Sequence, residues 1–224
     1  MIKKSSSASI GLVVLIALAN FVWGSVWIFH WKNTGELRSL NTASSDITHI
    51  FTQHLTVSAI SIAVFLISII TLRSSFVKKM RMSVKGKRQC ILMFVCLAVW
   101  VVISIYAMLT KHDKLTVGYS LFYYLIFIAF FEEFIFRDVL PELIRNERTI
   151  LRYLLPNILF GAVHIFSYAG WGTISFSFVL RFLISQMWYY IGFGCLMQLI
   201  KEKSGTIWIP VLIHAVWDSL YILK

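Results

Sequence analysis

The chain has 224 residues, 58% of them hydrophobic and 14% charged, where a soluble domain carries roughly 25% charge. That excludes a soluble globular protein and leaves no room for a second sizeable soluble domain. Net charge is +11, but the basic residues cluster between apolar runs, so they predict topology and anionic-lipid contacts and exclude a nucleic-acid surface.

Taken in order, Ile10 to Trp31 predicts a first span, retained because no small-residue cleavage site follows it. Lys32 to His49 is a polar connection, and Ile50 to Leu72 is the second span. Arg73 to Arg88 is strongly basic and holds no acidic residue. Cys90 to Leu109 is the third span and Lys111 to Lys114 a tight connection. The fourth span is Tyr119 to Arg137. An interfacial amphipathic segment, Asp138 to Arg152, follows with Pro141 near its start. Leu154 to Tyr168 is a short fifth span, Ala169 to Thr173 a turn, Ile174 to Ile200 a sixth span and Thr206 to Leu223 a seventh. The expected architecture is an all-α polytopic membrane bundle of about seven helices. Residues 1–118 form a three-span region without chemical motifs, and residues 119–224 form the core that carries them. Fifteen of the 21 basic residues fall in the N-terminus and alternate loops, which puts the N-terminus in the cytoplasm. Cys90, Cys96 and Cys195 show no CxxC or Cys/His spacing, so they read as packing residues.

The stretch to explain is Phe130-Phe131-Glu132-Glu133-Phe134-Ile135-Phe136-Arg137. A charged side chain at bilayer depth costs several kcal/mol unless paired or watered, and marks function by default. Glu133 and Arg137 are four apart and share a helix face, so they can pair. Glu132 points about 100° away and has no cation on its own face. His164 lies in span five, and His214 and Asp218 sit four apart on span seven. At roughly 1.5 Å per residue, Glu132, His164 and His214 fall within about 7–15 Å of the cytoplasmic edge. Imidazoles and carboxylates at one depth are the inventory for activating water.

Glu132-Glu133-x-x-x-Arg137, Phe160-x-x-x-His164 and His214-x-x-x-Asp218 resemble, in order, the three motifs of the CPBP family. These are the CAAX-protease and bacteriocin-processing intramembrane proteases, also called the Abi family. The likeness covers roughly residues 119 to 222, with Asp138 standing where the family usually has Gly. The resemblance implies an intramembrane endopeptidase. Glu132 would be its general base, helped by His164, and His214 with Asp218 would position substrate and stabilise the oxyanion. Glu133 and Arg137 are then a supporting ion pair. The resemblance favours a water activated without metal, and no HExxH spacing argues otherwise. The alternative is zinc or another divalent ion held by Glu132, His164, His214 and Asp218. Expected partners are the lipid bilayer and a peptide or membrane-protein substrate, such as a bacteriocin or pheromone precursor. Compact loops suggest a bacterial plasma-membrane protein with its site near the cytoplasmic face. The competing reading is a non-proteolytic membrane partner, an immunity protein or a sensor-kinase modulator. A transporter is disfavoured, since no repeated halves are visible.

Overall fold

The computed structural model describes residues 7–37, 40, 45–68, 84, 86–165 and 175–223, and every element among them is helical. The helices are α1 (Ser7–Thr34), α2 (Ile47–Val57), α3 (Ala59–Ser68), α4 (Lys87–Thr110) and α5 (Lys114–Leu143). They continue with α6 (Thr149–Val163), α7 (Phe176–Ser185), α8 (Met187–Ser204) and α9 (Trp208–Leu223). Among the described residues, α1, α4 and α5 are each long and apolar enough to cross a bilayer. The pairs α2–α3, bent by 58°, and α7–α8, bent by 41°, raise the number to five if each pair is one span. Helices α6 and α9, of 15 and 16 residues, fall short of the ~20 residues a bilayer needs. The expected count of seven spans is therefore not confirmed, although each expected span has an apolar helix or bent pair in its place. Most of the basic loop 73–88, the turn 169–173 and the N-terminal lysines lie outside the described residues.

Local chemistry sets the ends of these helices. The Asp113 carboxylate accepts from Thr116 N at 3.0 Å and starts α5. Gly205, at φ +75°, closes α8, donating its N–H to the Lys201 carbonyl at 2.8 Å. The fourth span is expected to end near Arg137; in the structure its helix does not. Helix α5 runs on through Pro141 to Leu143, with Asp138, Val139, Leu140 and Pro141 buried. Proline has no N–H to give to the ladder of this helix. A buried carbonyl needs another donor. Lys201 of α8 supplies it, its Nζ lying 2.5 Å from the Arg137 oxygen and also pairing with Asp138. Two stretches of α5, Tyr124–Phe130 and Phe134–Val139, are wound as π-helix and flank the short α-helical turn Phe131–Glu133. Such π segments often mark functional positions.

Helix α5 lies at the centre of the core. Phe134, Ile135, Phe136, Val139 and Leu140 pack with Val13 and Ala17 of α1, Phe160 of α6, and Val211 and Ala215 of α9. Outer faces are apolar too. Phe94 and Leu109 of α4 are 70% and 76% exposed, as lipid-facing side chains of a membrane bundle are. Helix α4 packs along α9, tied to it where Trp100 Nε1 donates to Ser219 Oγ at 3.2 Å.

Candidate active site

The structure brings the four singled-out residues together. Glu132 Oε1 lies 3.8 Å from His164 Nε2, and Glu132 Oε2 lies 3.8 Å from His214 Nε2. His214 Nε2 is also 3.5 Å from Asp218 Oδ2, one helical turn along α9. Each of these gaps is too long for a good direct hydrogen bond, and a water can bridge groups at such separations. Among the described residues, buried Glu132 Oε2 has no hydrogen-bond partner. The carboxylate of Glu132 is thus held between two imidazoles, one facing each oxygen.

What fixes the imidazoles decides which nitrogen is available. His164 Nδ1 is 2.7 Å from the Phe160 carbonyl, four residues back, so it must donate there. That leaves Nε2 facing Glu132. The ring of Tyr190, from α8, stacks on His164 with centroids 4.2 Å apart and planes 25° apart. His214 Nδ1 is 2.9 Å from Glu133 Oε1. The His214 ring therefore lies between two adjacent glutamates, one nitrogen towards each.

Glu133 has two partners. Its Oε2 pairs with Arg137 Nε at 3.3 Å, as the spacing of four residues requires, and both side chains are fully buried. Its other oxygen orients His214, a link that spacing does not reveal because 81 residues separate the two. The Arg137 guanidinium lies 4.3 Å over the Phe160 ring. Gly194 of α8 sits beside it, where a Cβ would meet Asn157 Oδ1 and approach Arg137 Nη2 at 3.1 Å. Phe160 is thus more than packing: its ring contacts Arg137 and its carbonyl holds His164. Tyr190 and Lys201 were missed, since nothing in the Trp188-Tyr189-Tyr190 run or in a lysine near a helix end sets them apart.

A cavity of about 370 Å³ opens on this group, lined by Glu132, His164, His214 and Asp218 together with aromatic residues that include Tyr189, Phe193 and Trp217. Polar groups at the base of an aromatic-walled cavity suit a substrate with an apolar body and one reacting polar bond. Among the described residues, no three His, Cys, Asp or Glu side chains converge as a metal centre requires. No chemical step below runs through an ion.

Residues 114–220 match the family model described as Type II CAAX prenyl endopeptidase Rce1-like. No curated protein and no solved structure matches the chain.

Proposed function

From the membership of residues 114–220 in the CAAX-protease family, we propose that this chain is an intramembrane endopeptidase using a water activated by Glu132. The observation that carries the reading is the Glu132 carboxylate, with one oxygen 3.8 Å from each of two Nε2 atoms. In this scheme Glu132 takes a proton from water as the water oxygen attacks the substrate carbonyl carbon. His164 accepts from the same water at Nε2. Charge moves to the carbonyl oxygen, where preorganised donors stabilise it. His214, in its doubly protonated form, is held by Glu133 at Nδ1 and donates Nε2–H to the oxyanion, and Asp218 beside it positions the substrate. As the C–N bond breaks, the proton carried by Glu132 passes to the departing nitrogen. The immediate products are a carboxylic acid and an amine, which exchange a proton to become carboxylate and ammonium, and one water is consumed.

The proposed substrate is a membrane-associated peptide or protein terminus, such as a bacteriocin or pheromone precursor, cut near the cytoplasmic face of a bacterial plasma membrane. No bound metal is required. The test compares peptides released from membranes carrying wild type or Glu132→Ala, with and without chelator. Fragments found only with wild type, and unchanged by chelator, are expected. Identical peptide sets would overturn proteolysis and leave the non-proteolytic reading. Loss of activity on chelation, with stoichiometric zinc lost in both His164→Ala and His214→Ala, would turn the four residues into a metal-ligand set.

A further inference from the structure

A second cavity, of about 260 Å³, lies on the other side of Glu132, between α1, the α2–α3 bend and α5. Glu132 and Ile128 line both cavities, so these two residues of α5 stand between them. The α1 and α2–α3 side of the second cavity comes from residues outside 114–220.

Its lining is unusual for helices that face lipid. Asn20, Ser25, His54, Ser58 and Ser61 all contribute to it. Ser61 Oγ donates to Asn20 Oδ1 at 2.7 Å and ties α3 to α1. His54 Nδ1 is 2.7 Å from the Tyr119 hydroxyl, and its ring stacks on Tyr123 at 3.9 Å. Ser58 is the break between α2 and α3, where the chain bends by 58°. Broken helices and polar side chains persist at bilayer depth where they line a water-filled cavity. A water occupies about 30 Å³ in the liquid and needs 2–4 polar partners. The space holds several, and its hydroxyl, amide, imidazole and carboxylate groups supply the partners. A π-wound part of α5 runs along the same wall through Phe127 and Ile128.

We propose that this cavity is the hydration path that delivers the hydrolytic water to Glu132, while substrate fills the cavity on the opposite side. The inference rests on Glu132 being the base that activates that water. Each cleavage consumes one water, and a substrate seated over His164, His214 and Asp218 closes the other approach. Supply from the far side lets binding and hydration proceed together.

The experiment uses protein in lipid vesicles, with Cys90, Cys96 and Cys195 replaced by alanine. Ser25→Cys places a thiol in the cavity. Val26→Cys places one on the same helix at a position 57% exposed on its outer face. The probe is a trimethylammonium methanethiosulfonate, which reacts with the thiolate and therefore needs water at the sulfur. The cavity thiol reacts and the outer one does not. Labelling Ser25→Cys then lowers kcat about tenfold with KM unchanged, because the adduct obstructs water and not substrate. Labelled and unlabelled samples are the same folded protein, so folding defects do not enter. Absence of labelling at Ser25→Cys overturns the proposal. So does a rise in KM at constant kcat, which would put substrate in this cavity. A protein that takes the label but never cleaves before labelling overturns the peptidase reading and leaves the hydration of the cavity standing.

Discussion

Helices α4 and α5 are adjacent in sequence and both apolar enough to span a membrane, yet they are used in opposite ways. Of its apolar window, α4 buries 6% and α5 buries 44%. Between Arg88 and Lys111, α4 has no carboxylate, lysine, arginine or histidine, and its winding is regular. Helix α5 carries Glu132, Glu133, Arg137 and Asp138 and is π-wound on both sides of its glutamates. Mean hydropathy ranks them, 2.7 for α4 and 1.6 for α5, but does not say which pairs its charges inside the bundle. The ionisable residues do, because a charge at bilayer depth must be covered by other helices and paired there. Arg137, Glu133 and Asp138 are at most 1% exposed, and their partners come from α5 itself, α8 and α9.

The contrast can be broken most severely at Arg137. Arg137→Met leaves buried Glu133 with only one of its two partners, His214, and removing one partner of a buried pair costs about 3–5 kcal/mol. Thermal or denaturant unfolding in detergent measures it; an unchanged midpoint would mean the pair is dispensable. Tyr190→Leu sharpens the comparison on the functional side. An aromatic pair is worth roughly 0.5–1.5 kcal/mol beyond its burial, so loss of the ring on His164 should lower stability by about that much and kcat a few-fold while KM holds. Tyr190→Phe keeps the stack and should restore the rate, a rescue that a hydroxyl-dependent role would not show. The smallest effect belongs to α4, where Phe94→Ala, on the lipid-facing side, should change stability by about 0.5 kcal/mol or less. A loss like that of Arg137→Met would show that α4 faces protein and not lipid.

Much of the site was legible in the sequence because its parts obey helix spacing. The Glu133–Arg137 pair and the His214–Asp218 face both follow from residues four apart. The convergence of Glu132, His164 and His214 followed from their depth in apolar runs. What the sequence hid depends on rotation and on neighbours. The Glu133 to His214 link needs α9 packed against a turn bounded by π segments, and no spacing rule reports that winding. The extension of α5 through Pro141 was hidden for a similar reason, since a proline reads as a stop unless a lysine from another helix gives a nearby carbonyl its donor. The count of seven spans is not confirmed, because α6 and α9 are apolar but short and two of the expected spans are bent pairs. The role of Tyr190 was invisible because it lies among other aromatics.

The central claim is that the two adjacent glutamates do different work, and paired substitutions test it directly. Glu132→Gln and Glu133→Gln are purified into the same vesicles, and cleavage rate and unfolding midpoint are measured on both. Glu132→Gln should unfold like wild type and lose about 10²–10⁴ in kcat, the contribution of a general base. Glu133→Gln should lower the unfolding midpoint, because it weakens the links to Arg137 and His214 together. Near-full turnover by Glu132→Gln would contradict the account.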